Sequence, residues 1–119
     1  GFGVYAAARG ATEVVGIDID EAVIEIAKGN VKLNLPFESG VRPRFVQADI
    51  FPWLRDAANA GEQYDVVILD PAKMTRDREQ VIPALKKYLD MNKLALGVVK
   101  PGGLFATFSC TGLVSEEQF

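Results

Sequence analysis

Tyr64-Asp65-Val66-Val67-Ile68-Leu69-Asp70-Pro71-Ala72-Lys73 decides how this chain is read. The unbroken apolar run between Asp65 and Asp70 predicts a strand buried on both faces of a parallel sheet. Pro71, with no N–H to donate, stops the ladder. Asp70 is then left at the strand's carboxyl end, the edge at which open α/β sheets bind ligands. An Asp-Pro pair is also ordinary turn chemistry, so the functional reading of Asp70 has to be carried by the rest of the chain.

Working backward, Arg44 to Asp49 predicts another strand with a terminal acid. A short helix follows from about Pro52 to Ala60, with Trp53 and Leu54 inward and Gly61 closing it. Earlier still, Glu13 to Asp18 predicts a buried strand that also ends in an acid. Asp20 then serves as N-cap to a helix over Glu21 to Asn34, which lays Ile24, Ala27 and Val31 on the sheet. Gly29 is that helix's weak position and Pro36 ends it. Capping accounts for Asp20. Asp18, at a strand tip, is also placed to accept the two hydroxyls of a ribose, as in dinucleotide folds. At the start, Gly1-Phe2-Gly3 precedes a helix-forming run, Val4 to Arg9, that Gly10 can close. Glycines ahead of a helix suit a phosphate- or cofactor-binding loop, but the strand that should lead into such a loop is not there.

Working forward, Lys73 to Arg78 is a polar loop. Its basic residues Lys73, Arg76 and Arg78 read first as solvated, although beside Asp70 they also suit a phosphate backbone. A long helix is predicted from about Glu79 to Val99, with Pro83 tolerable in its first turn. Ile82, Leu85, Leu89, Asn92 and Leu96 recur at helical spacing, so this face is expected on the sheet. Lys100-Pro101-Gly102-Gly103 reads as a turn and Leu104 to Cys110 as the last strand. Helix and strand periods alternate without an internal repeat, which makes a doubly wound α/β domain.

The 119 residues, 49% hydrophobic and 24% charged, suit one modest globular core. No stretch has the roughly 18 uninterrupted apolar residues of a membrane span, and no start resembles a signal peptide, so the expected location is cytoplasmic with no membrane partner. Cys110 is the single cysteine and there is no histidine, which rules out an internal disulfide, a plausible zinc site and a histidine base. A net charge of −3 leaves no basic face able to bind nucleic acid by charge alone.

Taken together, the strand-tip acids Asp18, Asp49 and Asp70, Gly1-Phe2-Gly3 ahead of the first helix and Lys100-Pro101-Gly102-Gly103 ahead of the last strand resemble the class I S-adenosylmethionine-dependent methyltransferases. Asp70-Pro71-Ala72-Lys73 and Thr107-Phe108-Ser109-Cys110-Thr111-Gly112-Leu113 narrow the resemblance to the ribosomal RNA cytosine-C5 methyltransferases that carry an RNA-binding PUA domain. The resemblance implies a Rossmann-like methyltransferase sheet, truncated at both ends, with residues 1–119 forming part of the S-adenosyl-L-methionine-dependent domain. It also implies that Gly1 and Gly3 approach the methionine part of the cofactor. Asp18 takes the ribose hydroxyls and Asp49 the adenine amino group, with Ile19 and Ile50 flanking the ring. Asp70 lies beside the target base and Cys110 is the nucleophile. Lys73, if it points inward, lowers the thiol's pKa. The chain departs from the family where Ala72 replaces a second proline.

Cytosine C5 is a poor nucleophile until a thiolate adds to C6 and turns the ring into an enamine, which explains why this chemistry needs a cysteine. The alternatives are an RNA base N-methyltransferase, which needs no thiol, a nicotinamide-binding dehydrogenase domain, which leaves Asp70 and Cys110 without a purpose, and an inactive fragment. In the resembling fold, the absent first strand lies between the strands ending at Asp18 and Asp70. Its loss would leave two unpaired edges, so a homodimer or strand exchange is expected of the fragment. RNA, expected to be ribosomal, is the partner implied for the whole enzyme.

Overall fold

The computed structural model describes residues 1–34 and 41–119. Two compact units divide the chain, Gly1–Ile50 and Phe51–Phe119. Each contains a pair of parallel strands joined through a helix.

In the first unit, helix α1 (Phe2–Ala8) takes Gly1 as its N-cap. At its other end Gly10 adopts φ 94°, donating its N–H to the Ala7 carbonyl at 3.2 Å while Ala11 donates to Ala6 at 3.0 Å. This is a Schellman ending, open to glycine because of the positive φ. Strands β1 (Val15–Asp18) and β2 (Arg44–Gln47) pair in parallel, with Gly16 opposite Phe45 and Asp18 opposite Gln47. Both ladders are shorter than the sequence suggests: the first begins at Val15 instead of Glu13, and the second stops two residues short of Asp49. Helix α2 (Glu21–Asn34) connects them and contacts both. Asp20 Oδ1 accepts the Ala22 N–H at 2.8 Å, the expected N-cap, and Ile24 and Val31 are buried as expected. The expected helix stop at Pro36 lies outside the described residues.

Gly3 lies within the first turn of α1 and not in a loop ahead of it. A Cβ there would stand 3.1 Å from Val14 Cγ1, so the missing side chain gives α1 its close approach to the segment leading into β1. Gly16 is tighter still, because a Cβ would fall 2.6 Å from Phe45 Cδ1. The Phe45 ring occupies the space that any side chain at position 16 would need.

Helix α3 (Ile50–Asn59) leads into the second unit, buries Leu54 and Ala57 and ends in a second Schellman motif around Gly61, φ 74°. Gly61 donates to Ala58 and Glu62 to Ala57, at 3.0 and 2.9 Å. Strand β3 (Tyr64–Leu69) pairs in parallel with β4 (Val99–Thr107), so Asp70's strand and the one leading to Cys110 are neighbours. Tyr64 is opposite Val99 but Val66 is opposite Leu104, so Lys100 to Gly103 form an irregularity inside β4 and not a turn ahead of it. Gly102 has φ 78°, and a Cβ on Gly103 would lie 2.9 Å from the Asp65 carbonyl oxygen. Glycine is required there because the backbones are too close for a side chain.

A short 3-10 turn (Arg78–Gln80) and helix α4 (Val81–Leu96) make the connection, placing Pro83 in the helix's first turn. The helix face is not the expected one. Ala84, Tyr88, Met91 and Ala95 are buried, whereas Ile82 and Leu89 are 73% and 53% exposed. Both series have helical spacing. The small Ala84 and Ala95 let the helix backbone approach the sheet, and that decides which stripe is buried. The β3 strand also departs from expectation. Leu69 is buried, but Val66 and Ile68, on the opposite face, are 57% and 41% exposed, because within this unit α4 packs on β3 and β4 from one side.

Among the described residues no helix is long and apolar enough to cross a membrane.

Candidate active site

In the second unit, the carboxyl ends of β3 and β4 bring together two segments far apart in sequence. The Phe108 N–H donates to the Leu69 carbonyl at 2.9 Å, carrying the ladder one step past β4. Beyond it the chain turns, so Cys110 lies in the following loop and not on the strand expected to hold it. Its Sγ is 3.8 Å from the Pro71 carbonyl oxygen, and the thiol is exposed. Asp70 is exposed at the tip of β3, with no hydrogen-bond partner for its carboxylate among the described residues. A carboxylate and a thiol flanking one turn therefore face solvent and are open to a ligand.

This pairing of loops is held from below. Thr111, immediately after Cys110, is buried, and its Oγ1 accepts the Met74 N–H at 3.0 Å. The same oxygen lies 2.7 Å from Tyr88 Oη on α4. Ser109 Oγ donates to Tyr88 Oη at 3.1 Å and accepts the Thr111 N–H at 3.2 Å. In the sequence Ser109 and Thr111 belong to the stretch from Thr107 to Leu113 and carry no sign of this network. Tyr88 gave no functional signal, being one aromatic on an apolar helix. Lys73 lines a cavity with Arg76 and Lys87 and makes no hydrogen bond to Cys110.

In the first unit, Asp18 ends β1 and its Oδ1 accepts the Asp20 N–H at 2.9 Å, so it helps shape the turn into α2 as well as occupying the strand tip. Its Oδ2 has no protein partner among the described residues. The β2 end is drawn against it: the Ala48 N–H donates to the Asp18 carbonyl at 2.9 Å and Gln47 Nε2 to the Ile19 carbonyl at 3.3 Å. Ile19 is 69% exposed on this edge. Asp49 is also exposed and Ile50 half-buried, both past the end of β2, while Gly1 is the N-cap of α1. Among the described residues no cluster of acidic and cysteine side chains is placed to hold a metal ion.

A family model described as a methyltransferase domain matches residues 1–119. The chain belongs to the methyltransferase domain family. The described α/β architecture is consistent with a Rossmann-like methyltransferase fold. Its relatives include the ribosomal RNA large subunit methyltransferases I of Tolumonas auensis, 41% identical over 119 residues, and of Vibrio parahaemolyticus, also 41% identical over 119 residues. The protein of that name from Photobacterium profundum is 40% identical over 120 residues. Each match covers 100% of this chain and 30% of the relative.

A methyltransferase domain implies a methyl donor of the S-adenosylmethionine type. The first unit's residues fit one: Asp18 offers an unpaired carboxylate oxygen to hydroxyl donors, a second acid, Asp49, follows the neighbouring strand, and Ile19 gives an exposed apolar side chain between them in sequence.

Proposed function

We propose that this methyltransferase domain belongs to an enzyme that methylates C5 of a cytosine in ribosomal RNA through a covalent adduct with Cys110. The observation carrying the reading is the exposed Cys110 thiol, 3.8 Å from the carbonyl of the Asp70-Pro71 turn. A free cysteine is usually a small buried hydrophobe. This one faces solvent beside the turn of an acid that has no hydrogen-bond partner among the described residues. Similarity to ribosomal RNA large subunit methyltransferases supports the choice of RNA.

In this reading Asp18 and Asp49 hold the ribose and adenine of S-adenosylmethionine, and Ile19 and Ile50 flank the ring, with Gly1 and Gly3 near the methionine part. When bound, the cofactor supplies an electrophilic methyl group. Asp70 receives the N3/N4 edge of a cytosine swung out of its stack and favours protonation at N3. The Cys110 thiolate adds to C6 and makes C5 nucleophilic. Once C5 is methylated, its proton passes to water or a nearby base, the thiolate leaves C6 and N3 gives up its proton, which restores the aromatic ring and the free cysteine. The Thr111–Met74 and Thr111–Tyr88 contacts hold the two loops in register, and Lys73 belongs with the polar loop's other cations more than with the thiol.

The test uses the full-length protein and RNA carrying 5-fluorocytosine at the methylated position. Fluorine cannot leave C5 as a proton does, so a stable protein–RNA adduct is expected. Cys110→Ala should abolish adduct and turnover while keeping cofactor binding. A Cys110→Ala protein that methylates RNA at near the parent rate would overturn the thiol mechanism in favour of N-methylation.

A further inference from the structure

Beside the Asp70 turn, the polar loop and α4 border an open pocket of about 400 Å3. Three cations line it: Lys73 and Arg76 from the loop, and Lys87 from α4. Asp77 is the only carboxylate among the lining residues. The ion pairs among the described residues are Lys28–Glu25 and Lys100–Asp65, and none of the three cavity cations has a hydrogen bond or ion pair with a described residue. Three unpaired cations around one concavity repel each other and favour any anion that enters. This concentration stands out in a chain of net charge −3.

The loop carrying two of these cations is also well anchored. Thr75 is buried, and its Oγ1 accepts the Asp77 N–H at 3.0 Å and donates to the Asp77 carbonyl at 3.1 Å. Met74 is tied to Thr111 as described. Lys73 and Arg76 thus extend from a backbone held at both Met74 and Thr75, so less ordering is left for a ligand to impose. Arg76 contributes a guanidinium fork suited to phosphate oxygens, and Lys73 and Lys87 contribute point charges.

We propose that this cavity binds a backbone phosphate of single-stranded RNA adjoining the nucleotide at Asp70 and Cys110. The assignment rests on the reading above that the methylated base belongs to RNA. It gives a substrate-positioning role to Arg76 and Lys87, neither of which touches the reacting base. It also explains how an acidic domain tolerates a polyanion at its site, since three cations gather at one pocket beside the turn.

The experiment measures affinity of the full-length protein for a fluorescein-labelled single-stranded RNA oligonucleotide across a salt series. Each phosphate contact on a single strand contributes about 0.7 to the slope of log K against log salt. Arg76→Gln combined with Lys87→Gln should flatten the slope by about 0.7, one phosphate contact, and weaken binding to RNAs of different sequence alike. Affinity for S-adenosylhomocysteine should stay unchanged, and the thermal midpoint should not fall, since the substitutions relieve repulsion. Arg55→Gln, outside the cavity, should leave the slope as in the parent. A double variant with the parent slope overturns the pocket, whichever base is methylated. A parent that binds RNA with the expected slope change in the variant, but methylates a position other than C5, upholds the pocket and removes only the cytosine-C5 reading. A parent without salt-dependent RNA binding overturns both.

Discussion

Tyr88 Oη lies 2.7 Å from Thr111 Oγ1, and both residues are buried. Because Ser109 already donates to Tyr88 Oη, the order that satisfies each group runs from Ser109 to Tyr88 to Thr111, with the Met74 N–H as the second donor to Thr111. One threonine therefore joins α4, the loop after β3 and the loop after β4. Thr111→Val keeps the shape but leaves the Met74 N–H and the Tyr88 hydroxyl short of an acceptor. A loss of about 1–3 kcal/mol is expected from unsatisfied buried groups. Denaturant midpoints should show it, and amide exchange at Met74 should accelerate, whereas a purely local effect would leave Met74 unchanged.

The Gly16–Phe45 pair makes a prediction for the first unit. Gly16→Ala places a methyl where the Phe45 ring stands, so the ring or the ladder must shift. Overpacking of this kind costs about 1–3 kcal/mol. Gly16→Ala together with Phe45→Leu should recover part of the loss, and a fully additive double variant would show that the two do not compete for space.

For α4, the prediction separates the two apolar stripes. Met91→Ala should cost about 2–5 kcal/mol, the range for truncating a buried side chain. Leu89→Ala, on the 53% exposed stripe, should cost much less in the same denaturation series. Equal losses would return the buried face to the one read from periodicity.

Cofactor affinity tests Asp18. Its Oδ2, without a partner among the described residues, is available for charge-assisted hydrogen bonds, so Asp18→Ala should weaken S-adenosylmethionine binding by about 1.5–3 kcal/mol in a calorimetric titration of the full-length protein. Parent-like affinity would remove Asp18 from the cofactor site.

The Asp65–Lys100 pair spans the irregular stretch of β4, with Lys100 Nζ 2.9 Å from Asp65 Oδ2. The hydrogen bond from Lys100, and then its charge, hold the Asp65 carboxyl below the ordinary aspartate value. A depressed acid stabilises the fold above its unfolded pKa, near 3.9 for aspartate, and the contribution disappears as pH falls through the lower folded value. No change is expected between pH 5 and 8. A carboxyl-detected NMR titration should place Asp65 below its usual range, and Lys100→Gln should raise it; an unmoved titration would show that the pair does not form in solution.

Much of this protein can be read from residue order because local rules act locally. The α/β class, the N-cap at Asp20, the glycine endings at Gly10 and Gly61, and the buried positions Ile24 and Val31 follow from short-range chemistry that needs no knowledge of the partner surface. The acids at the ends of three successive apolar runs are legible from residue order alone, whereas the side-by-side placement of the β3 and β4 ends belongs to the fold. Packing decided the rest. Periodicity marks apolar stripes but does not choose between two of them on one helix, and α4 buries the stripe carrying Ala84 and Ala95 because small side chains allow close approach. Gly3 reads as a loop glycine until Val14 is seen against it, and Lys100 to Gly103 read as a turn until Asp65 is found opposite. The three-way junction at Thr111, and the meeting of Lys87 with Lys73 and Arg76, join residues distant in sequence, so only the folded chain creates them.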